Sequence, residues 1–183
     1  NALLHVVKVP EEYSFKAIQS IVTSTLMAFY FRKSSGREDK AFPEIKVHQL
    51  RSLPIITSSD SLKIEPLSDK MLNDTAAFYS IAERFSKYIS SHFTEIIQPK
   101  KLQNWHELEF GDFIKELTKA IKKVGGENLT KMDEMEWMDV FEAKKAEAQK
   151  LKAEIDKTDK EIDQMVYELY RLTEEEIEIV ENS

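Results

Sequence analysis

At 183 residues with a net charge of −7, the chain is long enough for one sizeable core or two small ones. It contains no cysteine, which excludes disulfides, thiol catalysis and cysteine-type zinc sites and fits a reducing cytoplasm. Charged residues make up 32% and glycines number 4, a balance that leans towards helix, and no apolar run is long enough to span a bilayer.

The charge is unevenly spread. Residues 1–56 carry 8 basic and 5 acidic residues, residues 57–126 carry 10 and 10, and residues 127–183 carry 8 and 18. A nucleic acid would favour the first third and be repelled by the last. The start, Asn1-Ala2-Leu3-Leu4, has no basic lead and is not a secretory leader. Asn1-Ala2 reads as the scar of a removed tag, so the chain is expected to be a fragment.

In chain order, residues 3–9 are β-branched, end before Pro10 and predict a strand. Ser14 is placed to cap a helix with Phe15, Ile18, Ile21, Val22, Leu26, Phe29 and Tyr30 apolar, expected to run to about Lys33. Residues 34–40 form a polar loop, residues 41–47 a short extended piece, and residues 48–54 one helical turn that Pro54 ends. Residues 57–66 read as a connector. A second helix starts near Ser68, with Met71, Phe78, Ala82, Phe85 and Ile89 in period and Pro99 closing the segment. Trp105, Leu108, Phe110, Phe113, Leu117 and Ile121 mark a third helix that ends at Gly125-Gly126.

The tail carries apolar or small residues at Phe141, Ala148, Leu151, Ile155, Ile162, Met165, Leu169 and Leu172, with polar Lys144 and Thr158 in the two gaps. Such a repeat draws one stripe down a long helix, and the stripe needs a partner helix. The partner is either the helix of residues 68–98, giving an internal antiparallel hairpin, or a second chain, giving an oligomer. Lys144 and Thr158 disfavour a self-sufficient parallel dimer. Together these elements predict a mainly α fold of long helices in a hairpin or bundle, with a small β-containing portion at the N-terminus. The division expected is residues 1–56 and 57–183.

Two stretches carry a family resemblance. Phe42-Pro43-Glu44-Ile45-Lys46-Val47-His48-Gln49-Leu50-Arg51-Ser52-Leu53-Pro54-Ile55 resembles the FPxIKxxxLxxLPI element of TaqI-like specificity domains, found in adenine-specific DNA methyltransferases and type IIG restriction–modification enzymes. Residues 155–177, which include Ile162-Asp163-Gln164-Met165-Val166-Tyr167-Glu168-Leu169-Tyr170-Arg171-Leu172-Thr173, are similar to the IDxxVYELYGLTEEEI ending of such enzymes, with Arg171 where they carry Gly. The resemblance implies the end of a target-recognition domain in residues 1–56 and a helical spacer in residues 57–183. It implies double-stranded DNA and the parent chain's methyltransferase core as partners, with no membrane. S-adenosylmethionine would belong to that core. Neither an Asn-Pro pair nor a Gly-rich cofactor loop occurs here, so no cofactor, catalysis or metal site is expected in the fragment.

Under the resemblance, Arg32, Lys33, Arg37, Lys40, Lys46 and Arg51 are the candidates for meeting DNA. Phosphate contacts set register, and an arginine is the commonest reader of a guanine edge. The ordinary alternative is a solvated loop. Glu44-Ile45-Lys46 matches half of a nuclease metal motif, but Asp39 is too near to sit on a separate strand. His5, His48, His92 and His106 are scattered and form no metal-binding pair. Trp105, Trp137, Phe110, Phe113 and Phe141 are at helical spacing and read as contacts between the third helix and the tail rather than base-stacking platforms. Thr173 followed by three glutamates reads as a capped helix start. The function implied is sequence-specific DNA recognition within a restriction–modification enzyme that methylates adenine, with or without cutting. A non-catalytic helical interaction scaffold is the alternative, and the first third distinguishes the two: a DNA reader gathers the basic loops on one exposed face, whereas a scaffold buries or scatters them.

Overall fold

A computed structural model describes residues 9, 13–35, 49, 51–56, 59–93, 96 and 99–183 of the chain. These residues are mainly helical, as expected, and no strand occurs among them. The expected strand of residues 3–9 (Val9 apart) and the extended piece of residues 41–47 lie outside the described residues, so the β-containing portion is not seen. The elements are α1 (Phe15–Thr23), α2 (Thr25–Ser35), a 3-10 turn (Ser59–Ile64), α3 (Glu65–His92), α4 (Lys100–Gln103), a second 3-10 turn (Trp105–Glu107), α5 (Phe110–Lys123), α6 (Lys131–Tyr170) and α7 (Glu174–Glu181). They sort into two compact units, Asn1–Leu72 with Lys157–Ser183, and Asn73–Asp156.

The core of the first unit is Ile21, Met27, Ile64, Ile162 and Val166, with Leu26, Leu53, Ile55, Met71, Met165 and Leu169 packed around it. Ser14 caps α1 as expected, its Oγ accepting from the Ala17 amide at 3.2 Å. The single helix expected to reach Lys33 is instead two. Ser24 is extended (ψ 157), its Oγ donates to the Ile21 carbonyl at 2.7 Å, and it accepts from the Met27 amide at 3.3 Å. Short hydroxyl side chains compete with the helix ladder in this way, and Thr23-Ser24-Thr25 puts three in a row. The start of α2 is held from a distant part of the chain. Asp163 on α6 accepts from the Thr25 amide at 2.8 Å and the Thr25 hydroxyl at 2.6 Å, placing a carboxylate at a helix N-terminus. Residues 59–66 are more than a connector, because Ile64 is buried within the first 3-10 turn and α3 already begins at Glu65.

Thr158, expected as a gap in the tail stripe, is buried and accepts from the Lys70 ammonium at 3.0 Å. Tyr167 is also buried; that burial, then the carboxylates of Asp163 and Glu181, push its hydroxyl up to about 12. At neutral pH the phenol is a packing group and not an acid. α6 ends on Arg171, whose φ is 57. The Leu172 amide reaches the Tyr167 carbonyl and the Arg171 amide the Glu168 carbonyl, both at 3.0 Å, the bond pair of a left-handed helix stop. α7 then starts on a reciprocal cap between Thr173 and Glu176, as the sequence predicts.

An L residue in the left-handed region costs roughly 1–2 kcal/mol, part of which glycine gives back through its freer unfolded chain. Arg171→Gly is therefore expected to stabilise the protein by about 1 kcal/mol and to raise Tm by about 2–4 °C. A lowered Tm on thermal unfolding would mean that the arginine side chain contributes more than its backbone strains.

The second unit is built on rings. Phe85, Trp105, Phe113, Trp137 and Phe141 are buried together with Ile89, Leu102, Leu117, Ile121 and Ala148. Phe113 stacks on Phe141 at 4.6 Å between centroids, and Phe110 lies 5.7 Å from the same ring. These are the contacts expected between the third helix and the tail. Within this unit α3 and α6 run antiparallel, Phe85 facing Phe141 and Tyr88 facing Trp137. The expected third helix is broken into α4, a 3-10 turn and α5, because Leu108 and Glu109 are extended. Glu109 then reaches Lys145 at 2.8 Å. That lysine is buried on α6, its ammonium 5.7 Å from the Phe141 ring centroid, while Lys144 is exposed and pairs with Glu147. α5 stops at Gly125 (φ 76), where the Gly126 amide meets the Ile121 carbonyl at 3.1 Å. A Cβ on Gly126 would stand 2.7 Å from the Ile121 side chain.

Candidate nucleic-acid interface

Of the six basic candidates, Arg32, Lys33 and Arg51 are among the described residues and all three side chains are exposed. Arg37, Lys40 and Lys46 lie outside the described residues, as do Asp39, Glu44, His5 and His48. Arg32 and Lys33 sit in the last turn of α2, where cations also suit the helix dipole. The Arg32 guanidinium donates to the Ser183 hydroxyl at 3.2 Å, so the chain just past the C-terminal end of α7 meets this end of α2. Arg51 follows Gln49 in the helical turn expected before Pro54; the Ser52 amide closes that turn on the Gln49 carbonyl at 3.3 Å.

The segment after that turn is strapped to α6. Leu53 and Ile55 pack against the core that Ile162, Val166, Met165 and Leu169 provide. The Tyr170 hydroxyl donates to the Pro54 carbonyl and accepts from the Ile56 amide at 3.3 Å. Burial raises the Tyr170 pKa, so the hydroxyl keeps the proton this bond needs. The two stretches that carried the family resemblance thus meet in one unit, the Leu-Pro-Ile end of one resting on the Glu-Leu-Tyr end of the other.

Beside the strap lies an open groove of about 550 Å³ walled by Ile56, Asp60, Lys63, Glu168, Tyr170 and Arg171. Its charges are mixed. Lys63 pairs with Asp60 at 2.7 Å; this hydrogen bond and its charge, more than the farther Arg171, hold the Asp60 carboxyl below its ordinary range. Sequence reasoning identified neither Tyr170 nor Asp163 as a positioning residue. Each is a polar side chain one step off the apolar stripe, and no local pattern announces a partner more than a hundred residues away. Elsewhere His106 is half-buried against Phe78 at 5.0 Å, with its pKa lowered chiefly by burial, and the exposed His92 closes on the Tyr88 carbonyl at 2.9 Å. Among the described residues no group of histidines and carboxylates converges as a metal site, and no helix is long and apolar enough to cross a membrane.

No curated protein and no solved structure matches the chain. Residues 1–55 match the model of the TaqI-like C-terminal specificity domain, so the resemblance carried by residues 42–55 holds at the level of that family model. Residues 57–166, more than half of the chain, match the model described as "Domain of unknown function (DUF8810)", and the chain belongs to that family.

Proposed function

We propose that this chain is a DNA-recognition part of a restriction–modification enzyme that methylates adenine. Residues 1–56 would be the end of the target-recognition domain, and the helical remainder would be a spacer. The observation that carries the reading is the match of residues 1–55 to a specificity domain, over the same stretch that holds the basic candidates. The exposure of Arg32, Lys33 and Arg51 is consistent with it, since a phosphate-meeting cation must be open to its partner.

The residues here do not fit a cofactor role. There is no Asn-Pro pair and no Gly-rich loop of the kind that cradles a nucleoside or orients an extruded adenine. Methyl transfer with S-adenosylmethionine, and any cutting, would belong to the parent's core, in the cytoplasm. This chain's residues would supply position and sequence preference only.

Selection from a random duplex pool by the chain, followed by anisotropy titration of the enriched sequence, tests the reading. Enrichment of a short adenine-containing sequence is expected. Lys33→Ala and Arg51→Ala should each lower the slope of log affinity against log salt by about 1 where the side chain meets a phosphate. No retention of duplex at low salt by the folded chain counts against the reading.

A further inference from the structure

The second unit carries a basic face that the specificity-domain match does not touch. α5 buries Phe113, Leu117, Ala120 and Ile121 on one side. The opposite side presents Lys115, Lys119 and Lys122, at the i, i+4, i+7 spacing that lines one helix face, with Lys123 beside them; all four are exposed. The stripe spans about 10 Å along the helix. Lys101 on α4 joins it, its ammonium 3.9 Å from the Glu116 carboxylate.

Glu116 lies among these lysines, and its carboxylate is taken up by Lys119 at 2.8 Å. That hydrogen bond, and then the charges of Lys119, Lys101 and Lys115, hold the Glu116 carboxyl below its ordinary range. Asp112 in the first turn is the other acid on the helix. Lys122 and Lys123 make no ion pair among the described residues. They sit in the last turn, where the helix dipole alone accounts for a cation. Lys115 and Lys119 lie further back and have no such account. The region of residues 57–126 is neutral in sum, so this face is a segregation of charge rather than a general excess.

We propose that the outer face of α5, with Lys101, is a second DNA-contacting surface, which tracks the phosphate backbone of a duplex without reading its bases. Flexible ammonium groups on a stiff helix suit that task, because each acts as a point charge towards phosphate with no demand on geometry. The choice of duplex DNA over another polyanion rests on the recognition function proposed above. The surface would add affinity and leave sequence preference to residues 1–56.

The test compares the full chain with two variants on a random duplex and on the selected sequence, at about 50 to 200 mM salt. One variant replaces Lys115, Lys119, Lys122 and Lys123 by Gln; the other replaces Arg32, Lys33 and Arg51 by Gln. Circular dichroism and Tm confirm that both remain folded. The α5 variant is expected to lose roughly 10-fold or more in affinity, equally on both duplexes, with the salt slope lowered by about 2–4. An unchanged slope, with duplex still bound and the other variant impaired, overturns the α5 surface and leaves the recognition reading intact. A wild-type chain without sequence preference whose duplex affinity falls in the α5 variant sinks the recognition reading and supports the surface. A wild-type chain that binds no duplex overturns both. Binding to phosphatidylserine vesicles that the α5 variant abolishes, with duplex binding unchanged, reassigns the lysines to a membrane and overturns the proposal.

Discussion

Phe141→Ala is expected to lower stability by about 3–5 kcal/mol. Phe141 is fully buried and is the ring that the other elements of its unit share. Phe113 lies at 4.6 Å, Phe110 at 5.7 Å, Trp105 at 6.1 Å and Phe85 at 6.5 Å. Truncation would remove the transfer free energy of the ring and open a cavity between α3, α5 and α6. The neighbours are rings themselves and fill a new void poorly, which argues for the upper part of the range. Loss of the Lys145 contact over the ring face adds about 0.5–1 kcal/mol. Phe141→Leu keeps more volume and should cost markedly less.

Urea unfolding followed by tryptophan fluorescence measures this directly, since Trp105 and Trp137 are the chain's two tryptophans and both lie in the affected core. A shift of the midpoint at constant slope is the expected form. A loss below about 1 kcal/mol would show that the core repacks around the gap, contrary to the ring geometry.

Asp163→Ala is expected to cost about 2–3 kcal/mol. The side chain supplies both oxygens to Thr25, at 2.8 Å and 2.6 Å. Loss of a helix cap costs about 0.5–2 kcal/mol, and a hydrogen bond to a charged group contributes about 1.5–3 kcal/mol. The two figures overlap, since one carboxylate performs both roles. Tm should fall by about 4–12 °C. Hydrogen exchange gives the sharper readout. The first amides of α2 should exchange faster, while those of α5, in the other unit, stay as they are. Asp163→Asn retains one acceptor and should fall between. Uniform loss of protection through both units would mean that the cap is not a local device. Because α2 carries Arg32 and Lys33, the same variant would also loosen the presentation of two candidate DNA contacts.

What the sequence made legible was mostly local. Ser14, Thr173 with Glu176, and Gly125-Gly126 each announce a helix end by chemistry that acts within four residues. The ring contacts of Phe113 and Phe141 followed from helical spacing alone. The misses came where distant partners override local pattern. Thr158 looked like a gap in the stripe until Lys70 supplied a partner for its hydroxyl. Lys144 appeared to occupy a core position, but the helix turns Lys145 inward instead, and Glu109 offsets the cost of burying that ammonium. Ser24 ends α1 early, and the following helix depends on Asp163, a residue far along the chain. The α5 lysines stand at i, i+4, i+7 in the sequence, a spacing that an ordinary solvated face shares, and only the buried side of that helix shows them segregated. Of the six basic candidates, Arg32, Lys33 and Arg51 are exposed, and Arg37, Lys40 and Lys46 lie outside the described residues.

The clasp of Tyr170 on Pro54 and Ile56 has a consequence for exchanging residues 1–56 between relatives. A graft that transplanted residues 1–56 alone would leave Leu53 and Ile55 seated on a foreign helix end, with the phenolic hydroxyl facing a backbone it did not evolve beside. The natural unit of exchange is therefore discontinuous: residues 1–56 together with residues 157–183.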